Sequence, residues 1–288
     1  MYRLEAVANY QCKVGENPLW DEREGRLYWA DIETGRLFRV DHASGEHECF
    51  YRSSQMIGGF SFQADGSLLL FEVDRIGVLS KAGEYRPLLQ GIDGDMTRFN
   101  DVIADPEGRV FAGTIGKSDE TGGLYRVERD GRVELLWKGT GCANGMGFTP
   151  DLQRFYWTDS TSQRIYWADY ERASGALTNR REFYRAPLDE GTPDGMTVDR
   201  AGHVWTARWG GSSLLRLDAT GKLLEQVRFP VTRVSSATFG GPELNVLYVT
   251  TAGGKGDNDA SHDVPDGTLY RLQVEVPGTA PFRSRIRL

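Results

Sequence analysis

Six short segments, each a polar start running into apolar residues, recur along the chain at intervals of roughly 40 to 50 residues. They are Asn17-Pro-Leu-Trp-Asp, Gly58-Gly-Phe-Ser-Phe, Asn100-Asp-Val-Ile-Ala, Asn144-Gly-Met-Gly-Phe, Asp194-Gly-Met-Thr-Val and Ser235-Ser-Ala-Thr-Phe. After five of them a turn signal follows: Glu24-Gly25, Asp65-Gly66, Glu107-Gly108, Pro150-Asp151 and Ala201-Gly202. A Tyr-, Trp- or Val-rich strand comes next, then a second strand. A period of this length is that of a four-stranded blade, so the repeat predicts an all-β fold. The expected architecture is a six-bladed β-propeller of four-stranded antiparallel blades around a central channel. Equivalent positions of different blades then meet at one axis although they are far apart in sequence.

The even repeat assigns all 288 residues to a single domain, 1–288. Within a blade the pattern is clearest for the two inner strands after the start, such as Leu27-Tyr-Trp-Ala-Asp31 and Arg36-Leu-Phe-Arg-Val-Asp41 in the first. Leu4-Glu-Ala-Val-Ala8 alternates ahead of the first blade. It is expected to close the ring as the outermost strand of the last blade, removing free sheet edges. The longest interruption runs from Gly253 to Asp266; its Gly, Asp, Asn and Ser content marks a loop, either a lid or a surface excursion.

Charge and cysteine usage exclude several functions. Net charge is −7 and no Lys/Arg run occurs, which argues against a nucleic-acid partner. No apolar run approaches the roughly 18 residues of a membrane span, and the start has no signal-peptide core. The three cysteines, Cys12, Cys49 and Cys142, form no CxxC pair, so the expectation is reduced thiols in a cytoplasm.

The ring geometry would bring Glu16, Asn100, Asn144 and Asp194 to one channel mouth. Two carboxylates held close together repel one another, and a divalent cation would remove that cost. Every candidate ligand carries oxygen, and none of His42, His47, His203 and His262 falls at a strand start. Oxygen donors suit Ca²⁺, Mg²⁺ or Mn²⁺. Read one at a time, Asn144-Gly145 and Asp194-Gly195 are also ordinary turn signals; it is their shared blade position that points to a site.

Gly15-Glu-Asn-Pro-Leu-Trp20, Arg98-Phe-Asn-Asp101, Asp105-Pro-Glu-Gly-Arg109, Phe111-Ala-Gly-Thr114, Asn144-Gly145, Thr158-Asp-Ser160, Pro193-Asp-Gly-Met196 and Phe239-Gly-Gly241 occur in this order. Together they resemble the regucalcin (senescence marker protein)/gluconolactonase family over nearly the whole chain. The resemblance implies a six-bladed propeller, one divalent metal in the channel and hydrolysis of sugar lactones. It implies Glu16, Asn144 and Asp194 as metal ligands, and Arg98 and Asn100 as substrate contacts. Family members that use zinc or iron widen the choice of ion. Animal regucalcins follow Ala-Gly-Thr with an acidic pair; here Ile115-Gly-Lys-Ser118 stands instead, so their sugar preference does not transfer.

Lactone hydrolysis needs an activated water and a stabilised oxyanion, and a metal can supply both. Asp194 is the candidate general base, with a ligand-only role as the alternative. Arg98 has a structural ion pair as its alternative, and Asp159 either supports the metal shell or is a turn carboxylate. Trp209 is either a sugar platform or blade packing. Ser160 lies outside a Gly-x-Ser-x-Gly elbow, and Cys142 has no histidine to activate it and reads as a buried thiol. An organophosphate or phosphoester hydrolase on the same fold and a non-enzymatic Ca²⁺-binding propeller are the competing functions. The expected partner is a small-molecule sugar lactone, with no oligomeric state assigned.

Overall fold

A computed structural model describes residues 2–92, 95–254 and 265–287. Strand β1 (Glu5–Asn9) precedes four separate four-stranded antiparallel sheets. The first contains β2 (Gly15–Asp21), β3 (Arg26–Asp31), β4 (Arg36–Asp41) and β5 (His47–Arg52). The second contains β6 (Gly59–Phe62), β7 (Leu68–Phe71), β8 (Arg75–Leu79) and β9 (Tyr85–Gln90). The third contains β10 (Met96–Ala104), β11 (Val110–Gly116), β12 (Gly122–Val127) and β13 (Val133–Thr140). The fourth contains β14 (Ala143–Phe148), β15 (Arg154–Asp159), β16 (Arg164–Glu171) and β17 (Ala176–Arg185).

The remaining strands form one eight-stranded sheet. It contains β18 (Thr192–Val198), β19 (Val204–Trp209), β20 (Ser213–Leu217) and β21 (Leu223–Arg228). It also contains β22 (Arg233–Gly240), β23 (Val246–Ala252) and β24 (Thr268–Gln273), with β1 paired antiparallel to β24. Its two halves meet through a single register pair, Trp209 opposite Arg233. The fold is all-β, antiparallel and propeller-like. Among the described residues no helix is long and apolar enough to cross a membrane.

The alternating strands explain the packing. Along β3, Leu27 and Trp29 enter one apolar cluster with Trp20 and Tyr248, while Tyr28 and Ala30 enter another with Phe60 and Leu70. Successive side chains point to opposite faces, so a strand sandwiched between two neighbours buries both. The same division repeats around the molecule. Each apolar cluster lies between two sets of strands adjacent in the chain, and one joins the last set to the first. The leading strands β2, β6, β10, β14, β18 and β22 touch in that order, and β22 touches β2, which closes a ring. Residues 255–264 of the loop expected between 253 and 266 lie outside the described residues.

Close approach of the leading strands depends on glycine. Gly145 and Gly195 lie inside β14 and β18, not in turns. A Cβ on Gly145 would stand 2.5 Å from the Asp194 carbonyl oxygen and 2.6 Å from the Met196 nitrogen. A Cβ on Gly195 would meet the Ser236 side chain and the Ser235 carbonyl. The Asn-Gly and Asp-Gly pairs are therefore contacts between inner strands, where no side chain fits.

Candidate metal centre in the channel

Five of the six leading strands break register with their neighbours near the channel end. The breaks fall between Glu16 and Leu19, Phe99 and Val102, Asn144 and Met146, Pro193 and Met196, and Val234 and Ser236. A bulge leaves residues unpaired and re-aims their side chains. Asn17 has φ of 50°, in the left-handed region, as a bulge requires. Its Oδ1 accepts a hydrogen bond from the Phe60 N–H of the next leading strand. Every residue expected at the channel site thus sits in or beside a register break, Arg98 at the one that follows Met96.

Glu16, Asn100, Asn144 and Asp194 are all buried. Arg98 donates through Nη1 to Asn100 Oδ1 at 2.6 Å and to the Phe99 carbonyl at 2.9 Å. Asn100 Nδ2 donates to Asn144 Oδ1 at 3.0 Å and to the Ala143 carbonyl at 2.9 Å. Asn144 Nδ2 donates to Ser160 Oγ at 3.0 Å, and Ser160 Oγ donates to the Pro193 carbonyl at 2.7 Å. Arg98, Asn100, Asn144 and the residue before Asp194 are thereby one hydrogen-bonded chain across three sets of strands.

Glu16 and Asp194 join this chain electrostatically. Burial, then the charges of Asp194 and Asp101, push the Glu16 carboxyl well above the usual carboxylate range. The Asn17 N–H, 3.0 Å from Glu16 Oε2, and Arg98 pull the other way. Burial and the Asp101 charge likewise hold Asp194 well above its ordinary value. Arg98 is itself pushed down by burial, against the pull of Cys142, Glu16, Asp101 and Asp194.

Asp101 was not singled out in the sequence. Strand alternation sends neighbours to opposite faces, so Asn100 and Asp101 read as one channel residue and one core residue. The Phe99–Val102 break removes that alternation. Asp101 is buried, with its carboxyl raised by burial to about 7 despite Arg98. It lines a cavity of about 260 Å³ that continues the channel, with Asn17, Met146 and Met196 around it and Pro281 and Phe282 of the C-terminal segment also lining it.

Asp159 and Trp209 fall outside this group, whereas Cys142 Sγ accepts from Asn100 Nδ2 at 3.9 Å and from Asn144 Nδ2 at 3.7 Å. Asp159, at the end of β15, accepts from Thr140 Oγ1 of the neighbouring sheet at 3.0 Å, and in its own turn its carbonyl accepts from Ser162 Oγ at 3.3 Å. Trp209 pairs with Arg233, whose guanidinium lies 5.3 Å from its ring centroid. The Cys142 thiol is pushed up to about 12, chiefly by burial, which leaves it inert as a nucleophile at neutral pH.

The donor set suits a hard cation. Among the described residues Glu16, Asp101 and Asp194 bear on the one guanidinium of Arg98; with all three ionised two negative charges would stand uncompensated, and without an ion burial and mutual repulsion push the carboxyls toward their neutral forms. One divalent ion would cancel the two charges. Among the described residues no three His, Cys, Asp or Glu side chains group closely enough to hold a metal by themselves. An ion between Glu16 and Asp194 would need a neutral oxygen, and Asn144 Oδ1 is available with its second lone-pair site.

Residues 14–253 match the family described as SMP-30/Gluconolactonase/LRE-like region. The chain is 45% identical over 288 residues to the pentonolactonase XacC of Haloferax volcanii, covering 98% of each protein. It is 31% identical to the regucalcin of Xenopus laevis, covering 97% of each. The solved structure of a calcium-binding protein, regucalcin, from Agrobacterium tumefaciens strain C58 superimposes with a TM-score of 0.89 at 26% identity. That match covers 100% of this chain and 98% of the other. With the bulged inner strands and these matches together, the chain belongs to the SMP-30/gluconolactonase/LRE-like family.

Proposed function

We propose that this protein hydrolyses sugar lactones to aldonic acids at one divalent cation held by Glu16, Asn144 and Asp194. The observation that carries the reading is the burial of three mutually repelling carboxyls, Glu16, Asp101 and Asp194, among bulged channel residues. The 45% identity to a pentonolactonase supports the substrate class and favours a five-carbon lactone. The oxygen donors favour Ca²⁺, Mg²⁺ or Mn²⁺. We count the eight-stranded sheet as two blades, because one register pair alone joins its halves. That count makes six blades and one domain over residues 1–288. The three free thiols support a reducing cytoplasm.

When bound, a divalent cation supplies Lewis-acid polarisation of the lactone carbonyl and acidifies a water. Asp194 would take a proton from the attacking water through a carboxylate oxygen not used to hold the ion. As water adds to the carbonyl carbon, Arg98 offers charged donors to the developing oxyanion or to adjacent hydroxyls. The ring C–O bond then breaks, and the ring oxygen would leave as the new hydroxyl with the proton that Asp194 took from the water. Asn100 acts mainly by holding Arg98 and Asn144 in register, since its amide already serves both.

The test is a panel of pentono- and hexonolactones, with an organophosphate triester and a phosphomonoester alongside. Each is assayed with metal-stripped and metal-restored protein. Restored turnover of lactones alone is expected. Phosphoester turnover without lactone turnover would favour the phosphoester hydrolase, and no turnover of any substrate would favour a binding protein.

A further inference from the structure

The hydrogen-bond chain through the channel has a direction, and both of its ends are obligate. Arg98 is a guanidinium and can only donate. The Pro193 carbonyl, at the other end, can only accept. Ser160 Oγ lies 2.7 Å from that carbonyl, so its single proton is committed there. Only a lone pair of Ser160 then faces Asn144, 3.0 Å away, and the group that meets it must be the Asn144 amide NH₂. This orients Asn144 Oδ1 toward Asn100 Nδ2, 3.0 Å away. Asn100 Oδ1 in turn accepts from Arg98 at 2.6 Å. An asparagine amide is nearly symmetric in shape, and its two orientations are told apart by such partners alone.

We infer that Ser160 is a positioning residue that selects which atom of Asn144 faces the cation, presenting oxygen and turning the NH₂ away. The inference rests on the reading of Asn144 as a metal ligand. Ser160 is well placed for the task. It is buried, and its own N–H donates to the Cys142 carbonyl at 3.0 Å, which ties it to the end of the β14–β15 hairpin. The same hydroxyl fixes the Pro193 carbonyl, one residue before Asp194. One small side chain therefore sets two ligands from neighbouring leading strands. Nothing about Ser160 requires it to be a nucleophile: its proton is engaged, and no base is bonded to it.

Without the hydroxyl, the Asn144 NH₂ loses its oxygen acceptor and keeps only Cys142 Sγ at 3.7 Å, so the preference between the two amide orientations is left to Asn100 Nδ2 alone. A population with NH₂ toward the cation binds metal poorly, because N–H dipoles repel it. Removing a group that orients a metal ligand typically costs about 10- to 100-fold in affinity. The experiment titrates Mn²⁺ into metal-stripped Ser160→Ala, Ser160→Thr, Glu16→Gln and wild-type protein, counting free Mn²⁺ by its EPR signal. Metal-free melting curves accompany each titration. The expected result is Mn²⁺ affinity reduced about 10- to 100-fold in Ser160→Ala, near wild type in Ser160→Thr, and an unchanged metal-free melting temperature in Ser160→Ala. Wild-type affinity in Ser160→Ala, with Glu16→Gln unable to bind, would overturn the role of Ser160 while leaving the metal site intact. Weakened binding that only follows a lowered melting temperature would also overturn it, as a structural effect. Normal binding in Glu16→Gln would instead overturn the metal-site reading on which the inference stands.

Discussion

Replacing Glu16 by glutamine should make the metal-free protein more stable while destroying cation binding. Glu16 is 3% exposed, and its carboxylate feels Asp194, Asp101 and Arg98. At an effective dielectric of about 20, two unit charges interact by about 4 kcal/mol at 4 Å and by about half that at twice the separation. At the larger separation two repulsions against one attraction leave about 2 kcal/mol of net repulsion on the ionised side chain, before desolvation is counted. Glutamine keeps an oxygen for the Asn17 N–H and removes the charge. For a chain of this length 1 kcal/mol corresponds to about 2–4 °C. The Glu16→Gln melting temperature in EDTA near pH 8 should therefore rise by about 4–8 °C. Mn²⁺ binding and lactone turnover should be nearly lost in the same sample. An ordinary structural carboxylate predicts the opposite sign. A Glu16→Gln protein that melts below wild type without metal, or that keeps wild-type Mn²⁺ affinity, would refute the reasoning.

Further outcomes follow from the same geometry. Arg98→Ala should lower kcat/KM for the lactone by about 10- to 150-fold through loss of a charged hydrogen bond, with Mn²⁺ affinity retained; unchanged kinetics would remove Arg98 from the site. Gly145→Ala should destabilise by about 1–3 kcal/mol and weaken Mn²⁺ binding, because the new methyl meets backbone atoms of Asp194 and Met196 that cannot rotate away; a wild-type melting curve would contradict the close approach. The Asp101 carboxyl, raised from 3.8 to about 7, binds its proton more tightly in the folded chain than in the unfolded one. Its contribution to metal-free stability therefore falls as pH rises through that window. The melting temperature of Asp101→Asn relative to wild type in EDTA should climb between about pH 4 and 7 and level off above that, and a constant difference would show that Asp101 titrates elsewhere.

The leading strands were legible because each pairs a polar start with an apolar run and a turn, and the strands after them because both faces are buried. The bulges were not legible. Asn144-Gly145 looks the same in sequence whether it turns a hairpin or lets two strands touch, and only the neighbouring strand, about fifty residues away, decides between them. Asp101 was hidden for the same reason, since alternation holds only where register does. In sequence Ser160 reads only as a serine outside a nucleophile elbow; its partners, Asn144 and the Pro193 carbonyl, come from other strands. The Trp209–Arg233 pair joins neighbouring sets of strands through one contact, which no local pattern encodes. The C-terminal segment also lacks a periodic signal. Its order comes from distant partners, such as Gln63 beside Ser284 and the Arg129 carbonyl accepting from the Arg287 N–H at 2.7 Å.

The position of the cation is most directly tested by anomalous scattering from crystals grown with Mn²⁺. The account predicts one strong peak in the channel, about 2.0–2.6 Å from carboxylate oxygens of Glu16 and Asp194 and from Oδ1 of Asn144. A peak held by other residues, or full lactone turnover by protein with no peak at all, would contradict it.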